Sequence, residues 1–491
     1  MLPQPVFAAP YISIHPKSGA PGTKVVVDGT NFTSYIGDRL SIFFSDMEIA
    51  KIAVSVPLSG NFQVVFEVPT NVQAGDSAVS IRNEAGRILA EEVFTVPMPE
   101  VRLSTWGGTV ATNLQVSVRG FYVGKSVVFN YYYGDETMYL GTQVAGETGE
   151  CSIQFTIPAS PRGKHNIIAS NDEGQRAVAE FGIIPSVTIE PQVAAVGDIV
   201  IVSGNGFTAE SNISVNLYDA IVASAKTDDL GAFSSRFIVP VMKAGKYLVG
   251  VEDVSREVRW GDLFITSRIS LSKSAGEVGA KITLSGTGFE LRSNIIISFN
   301  AQESFTARTD NIGAFSCIFD VPVCVAGAHI VTATDGTNLR QVVYTVESDE
   351  PTIPQPLLPK QNDIVTVPLT FNWEAVYDIS QPLFYTFQVA RTPDFVLPIL
   401  EKSGFTFSRY ELEDGGILLP NRKGTYYYWR IRAIDGASNI GQWSTPIAFR
   451  VKPVDILPNW ARYVLIVLQV GITILFAYGI WKAIKNAKIT V

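Results

Sequence analysis

The chain has 491 residues, 40 glycines, 27 prolines and a formal charge of -8, with no Lys/Arg block along its long N-terminal part. That pattern excludes a protein built to neutralise a run of phosphates, so no nucleic-acid partner is expected. Cys151, Cys317 and Cys324 are too few for a cysteine-stapled extracellular scaffold, and the modules must rely on apolar cores.

Val, Ile, Thr, Phe and Tyr are abundant and turns frequent, whereas Leu-, Ala- and Glu-rich helical runs are almost absent before the last thirty residues. The length predicts several β-modules, each with its own core. At the start, "MLPQPVFAAP" has neither a positive region nor a long apolar one. Val6 and Ala8 instead stand at small-residue cleavage positions before Ala9, so residues 1–10 read as the remnant of a secretory signal.

A repeat follows. Phe32 in "VVVDGTNFTSY", Phe121 in "VSVRGFYVG", Phe207 in "VSGNGFTAES" and Phe289 in "ITLSGTGFELR" are 89, 86 and 82 residues apart. Each is followed by a second marker, "GNFQVVFEVP", "GECSIQFTIP", "GAFSSRFIVP" or "GAFSCIFDVP", and then by a third such as "AGKYLVGVEDVSRE". Four copies of one module account for all three. Their short β-branched runs, ended by Gly, Asn or Asp, read as antiparallel strands, about seven in some 85 residues, the size of an immunoglobulin-like sandwich. Alternation places Phe315, Cys317, Phe319 and Val321 on one face, and Cys151, Ile153, Phe155 and Ile157 on the matching face, so these cysteines are expected as small core residues.

Gly204-x-Gly206 looks at first like a dinucleotide fingerprint. The third glycine and the phosphate-receiving helix are missing, because "TAESNISVNLYD" continues as turn and strand. Gly29, Gly204, Gly206, Gly286 and Gly288 are therefore predicted to serve chain turning and close approach, with Phe32, Phe121, Phe207 and Phe289 buried beside them.

In "PKSGAPGTKVVVDGTNF", "PQVAAVGDIVIVSGNGF" and "SAGEVGAKITLSGTGF" the repeats resemble bacterial immunoglobulin-like modules of the IPT/TIG class, over residues 11 to 346. The second copy lacks the first glycine of the pattern. The resemblance implies sandwiches at 11–98, 99–185, 186–267 and 268–347, without naming a function, because the fold occurs in enzymes, receptors and surface proteins. Residues 348–452, with "FNWEAV", "YTFQVARTPDF" and "YYYWRIRAIDGASNIGQWS", resemble a fibronectin type III sandwich. Its predicted core face is Tyr427, Trp429, Ile431 and Ala433, followed by a turn at Asp435-Gly436. The preceding "PTIPQPLLP" is expected to be an extended, stiff linker.

After a juxtamembrane linker at 453–462, Tyr463–Trp481 contains no charge, and nineteen residues as a helix span roughly the 30 Å hydrocarbon layer. Arg462 precedes it. Lys482, Lys485 and Lys488 follow without an acid, so the tail at 482–491 is expected in the cytoplasm and everything before the helix outside. The fold class is thus all-β, tandem immunoglobulin-like sandwiches plus one C-terminal transmembrane helix. Five sandwiches in series, if extended, would reach roughly 150 to 200 Å from the membrane.

Catalytic constellations are not evident. His15, His165 and His329 fall in different repeats, and no H-E-x-x-H, G-x-S-x-G, Cys-x-x-Cys or Walker loop occurs. No catalytic residue, metal ligand or cofactor is assigned. Asp228, Asp229 and Asp310 suit tight turns, with calcium as the alternative, and Asn31 and Asn212 fit glycosylation acceptors. Tyr131, Tyr132 and Tyr133 are the candidate ligand contact: alternation turns at least one ring outward, toward a neighbouring module or a glycan or protein. The expected protein is a non-enzymatic, membrane-anchored extracellular rod for adhesion, envelope organisation or scaffolding of another exported protein. Its expected partners are the membrane and an extracellular protein or glycan, with self-association left open. A carbohydrate-binding surface receptor and an accessory subunit of an exported hydrolase are the alternatives.

Overall fold

The structure, a computed structural model, describes residues 8–51, 56–413, 416–419, 426–452 and 459–487. Residues 1–7 of the suggested signal remnant, most of the juxtamembrane linker and Lys488 lie outside the described residues. The chain forms two compact units, Met1–Pro240 with Ala244–Thr266, and Ser267–Val491 with Val241–Lys243.

The first unit holds three sandwiches. Period-two alternation produces them: in Lys24–Thr30, Val25 and Val27 are fully buried while the residues between are half-exposed, so one face closes a core and the other meets water. This strand lies between Tyr11–His15 and Phe62–Glu67 in a three-stranded antiparallel sheet. The facing sheet has four strands, ordered Met47–Lys51, Leu40–Phe44, Gly75–Asn83 and Ile88–Val96. In the second sandwich the three-stranded sheet is Cys151–Thr156, Asn113–Arg119 and Glu100–Leu103. Opposite it run Glu136–Val144, Ser126–Tyr133, Gly163–Ser170, Arg176–Ile183 and the short Gly107–Gly108, which pairs in parallel. The third sandwich repeats this three-plus-five plan.

The second unit contains two more sandwiches of the same plan and the helix. In the last sandwich, Tyr427–Ile434 buries Tyr427, Trp429, Ile431 and Ala433, the face predicted from alternation. The supposed linker is different. Pro356–Leu358 is itself an edge strand, pairing Pro356 with Trp373 and Leu358 with Asn372, because a proline that cannot donate is tolerated at a sheet edge. The fold is all-β, tandem immunoglobulin-like sandwiches followed by one apolar helix, Asn459–Ala487.

Within a unit, neighbouring sandwiches are joined by main-chain hydrogen bonds. Val123 N donates to Pro21 O at 3.0 Å between the first and second, and Arg162 N to Phe207 O at 2.9 Å between the second and third. Ala326 N donates to Ala437 O at 2.7 Å between the fourth and fifth.

Candidate functional site

The repeat markers form one structural device. The residue before each marker phenylalanine is left-handed: Asn31 (φ 66°), Gly120 (80°), Gly206 (73°) and Gly288 (81°). Glycine takes that conformation without steric cost, and Asn is among the side chains that tolerate it. The phenylalanine N–H then donates to the glycine that opens the second marker: Phe32 to Gly60 O (2.9 Å), Phe121 to Gly149 O (3.1 Å), Phe207 to Gly231 O (3.0 Å) and Phe289 to Gly313 O (3.1 Å). All four rings are buried. Gly206 also approaches the preceding sandwich, since a Cβ there would lie 2.8 Å from Ile183 Cγ2.

The first glycine has a separate task. Gly29, Gly204 and Gly286 sit opposite Phe62, Phe233 and Phe315 in the sheet register. A Cβ would meet those rings at 2.3, 2.4 and 2.1 Å, so the missing side chain is what admits each ring. The divergent second copy pairs Val118 with Cys151 at the same place. The bulk has moved from one strand to the other, which accounts for both the absent glycine and the cysteine.

The tyrosine cluster is split by the sheet. Tyr131 is fully buried, donates to Ser160 Oγ at 3.1 Å and stacks on His165 with centroids 5.5 Å apart. Burial pushes its phenol up to about 12, despite the Ser160 hydrogen bond. Half-buried Tyr133 packs on the same core, 6.1 Å from Tyr131. Tyr132 falls on the opposite face, half-buried, in register with Thr137 and Asn166. Tyr131 is thus a core residue, and a ligand contact here is left to Tyr132 and the margin of Tyr133.

His165 and His329 occupy matching positions in different sandwiches, both 4% exposed. Their Nε2 atoms lie 2.8 Å from Pro161 O and 2.6 Å from Val325 O, and since a carbonyl only accepts, each Nε2–H donates. Burial lowers the His165 pKa. Asp228 and Asp310 accept hydrogen bonds from the main-chain N–H groups two and four residues on, the turn role expected of them. All three cysteines are free; burial raises each thiol, that of Cys151 to about 11.

Several groupings are ones that sequence reasoning missed. Asp253 accepts from Thr208 N (3.0 Å) and Ser255 N (2.9 Å), tying the third-marker hairpin to the residue after Phe207; Asp335 does the same with Glu290 N (2.7 Å). Burial opposes the Asp253 charge, yet the Ser255 and Thr208 hydrogen bonds outweigh it and hold its pKa at about 2. The equal offset of these aspartates from Phe207 and Phe289 was the available signal.

In the last sandwich, Arg430 lies 4.2 Å from the ring centres of both Phe395 and Trp443, and Arg432 lies 4.4 Å from Trp443. These guanidinium stacks cover aromatic surface that would otherwise face solvent. At the joint of the fourth and fifth sandwiches, Glu347, Asp378 and Asp435 bring carboxylate oxygens within 4.8 Å of one another. Oxygen donors of this kind suit a hard cation, but Asp378 accepts from Ser380 N, Asp435 from Asn439 and Glu347 from Ser380 Oγ, which occupies the cluster with protein donors. Burial raises the Asp435 pKa; Asn439 opposes this, and the charges of Glu347 and Asp378 add to it.

A cleft of about 680 Å³ lies between the first two sandwiches, lined by Lys24, Glu67, Thr70, Val123, Lys125 and Glu147 among others. Its mixed charge and lack of an aromatic wall select no ligand class. Toward the C-terminus, Trp460–Lys485 is long and apolar enough to cross a membrane, and none of it is buried in protein. These features mark it as a single-pass membrane anchor.

No family model matches the chain, and no curated protein matches its sequence. Among solved structures, the chain is similar to a tetra-tandem repeat from the extending region of a large adhesion protein. That match has 13% identity, covers 70% of this chain and 100% of the other, and has a TM-score of 0.22. It is similar to invasin, a bacterial integrin-binding protein, at 12% identity over 72% of this chain and 79% of the other, TM-score 0.20. A third is the N-terminal eight immunoglobulin domains of the Down syndrome cell adhesion molecule, at 13% identity over 91% and 60%, TM-score 0.20. Scores this low transfer neither partner nor activity.

Proposed function

We propose that this protein is a non-enzymatic, single-pass surface protein whose tandem sandwiches support adhesion, envelope organisation or attachment of another exported protein. The observation that carries this reading is the wholly unburied apolar helix directly after the fifth sandwich. Arg462 on one side and Lys482 and Lys485 on the other leave the C-terminal side the more basic among the described residues, a bias that supports a cytoplasmic tail with the sandwiches outside. The first four modules are of the IPT/TIG kind and the fifth of the fibronectin type III kind. Main-chain bonds at the joints support a presenting array within each unit, with loops as the binding surfaces.

A membrane-impermeant reagent applied to intact cells tests the orientation. Lysines of the sandwiches should be labelled; labelling only after permeabilisation would overturn the outward placement. Crosslinking on intact cells, followed by identification of the joined chains, then names the partner.

A further inference from the structure

The anchor helix carries one strongly polar side chain in its middle. Gln469 stands three residues from Ile472, the centre of the uncharged segment Tyr463–Trp481, so it sits about 4–5 Å from the bilayer midplane. Its side chain is exposed on the helix surface, and no hydrogen bond of its amide group is found among the described residues. Thr473 does not supply one: its hydroxyl donates to the Gln469 main-chain carbonyl at 2.7 Å and is thereby used within the helix. In water such an amide costs nothing. In hydrocarbon it has lost its solvent partners and is stabilised only by another helix.

We propose that the helix is an association element in which two copies of this chain pair in parallel through Gln469. This rests on the membrane-anchor reading above. A second copy is the occupant favoured by chemistry, because a carboxamide both donates and accepts and is its own complement across a two-fold axis. It is also favoured by depth, since every copy inserted in the same orientation brings its own Gln469 to the same level. The surrounding residues fit a helix seam: Leu465, Gln469, Ile472, Phe476 and Gly479 are spaced four, three, four and three apart, the repeat that keeps one stripe facing a partner helix. A single polar residue in such a stripe fixes register and stoichiometry. Gly479 lacks a side chain where the stripe continues toward the cytoplasmic end, and no atom of the chain crowds it.

The test uses the full chain, carrying donor or acceptor fluorescent tags on the C-terminal tail, reconstituted in phosphatidylcholine vesicles over a range of protein-to-lipid ratios. Energy transfer from the wild type should rise with density along a dimer isotherm. Gln469→Leu should weaken association about tenfold, Gln469→Asn should retain much of it, and Leu475→Gln, off the seam, should not restore it in the Gln469→Leu background. Wild-type chains that stay monomeric throughout, or a Gln469→Leu variant that pairs as tightly as wild type, overturn the proposal. Flotation of the same vesicles separates the two readings. A chain that does not float overturns the anchor and with it the pairing, whereas a chain that floats but stays monomeric overturns the pairing alone.

Discussion

Exchange of Val118 and Cys151 tests whether the second sandwich solves the same packing problem as its neighbours by the opposite distribution of bulk. Three repeats place glycine opposite phenylalanine, and this one places valine opposite cysteine. Val118→Gly deletes a side chain that is 3% exposed and adds glycine to a strand interior, together costing about 2–3 kcal/mol. Cys151→Phe alone drives a ring toward the space held by Val118. In the other copies the ring comes within 2.1–2.4 Å of where a Cβ opposite it would be, so overpacking of about 2 kcal/mol is expected. Independent effects would sum to about 4–5 kcal/mol. If the pair is interchangeable, the double variant regains the ring-over-glycine arrangement and loses only about 1–1.5 kcal/mol, a coupling of about 3 kcal/mol.

A chain of several sandwiches does not melt as one two-state unit, so the readout must be local. Amide hydrogen exchange followed by mass spectrometry on peptides covering Asn113–Arg119 and Cys151–Thr156 reports opening of this sandwich alone. A coupling of about 3 kcal/mol slows exchange in the double variant by about a hundredfold relative to the additive expectation. Protection in the double variant no better than the sum of the two single losses would refute the reasoning.

Asp253→Asn should destabilise the third sandwich by about 2 kcal/mol at pH 7. The folded carboxyl, at about 2, is depressed below its ordinary 3.8, so this stabilisation is present above pH 3.8 and vanishes as pH falls toward 2; amide exchange of peptides covering Gly245–Glu252 across that range checks it. Gly313→Ala puts a Cβ 2.3 Å from Phe289 O at φ +81° and should cost about 3 kcal/mol, against about 1 kcal/mol for Gly197→Ala, which is left-handed but open. Exchange protection around each turn separates the two. Asp378→Asn keeps an acceptor for Ser380 N while removing a charge beside Asp435, and should stabilise the fourth–fifth joint at pH 7 by about 1 kcal/mol. Because the Asp435 pKa is raised, its penalty is absent below pH 3.8 and grows as pH rises through the folded value, so the gain from Asp378→Asn should fade in acid; amide exchange of peptides covering Tyr427–Ile434 from pH 4 to 8 would show it.

The repeat phase, the core face of Tyr427 to Ala433 and the membrane helix were legible because each is written in contiguous residues: a recurring marker, a two-residue alternation and an uncharged apolar run. The Val118–Cys151 exchange was visible only as a missing glycine and an unexplained cysteine. Sequence spacing does not state which residues oppose each other across a sheet. Glu347, Asp378 and Asp435 converge from three separate segments, and Arg430 meets Phe395 and Trp443 across the chain, so neither grouping leaves a local pattern. Strand alternation in Tyr131 to Tyr133 implies that at least one ring turns outward; Tyr131 lies in the core and Tyr132 on the opposite face, while Tyr133 is half-buried at the core margin, a difference that depends on packing across the sheet.

The joints suggest why modules with such unequal surfaces can share one plan. At each described joint within a unit, the partners of the bond are main-chain atoms, Pro21 O with Val123 N, Phe207 O with Arg162 N, and Ala437 O with Ala326 N. Such bonds tolerate any side chain other than a proline at the donor. What they require is backbone geometry, and at the first two of these joints the left-handed Gly120 and Gly206 supply it by fixing the turn at Phe121 and Phe207, whereas Ala437 belongs to a sandwich without that marker. The Arg162 side chain adds a bond to Glu257 at 2.7 Å, but the pair is partly exposed and contributes little beside the main-chain contact. Side chains also enter the joints, as where Val278 N donates to Ser380 Oγ at 3.3 Å between the fourth and fifth sandwiches, so it is the loop residues outside these contacts that are free to differ while the main-chain bonds persist.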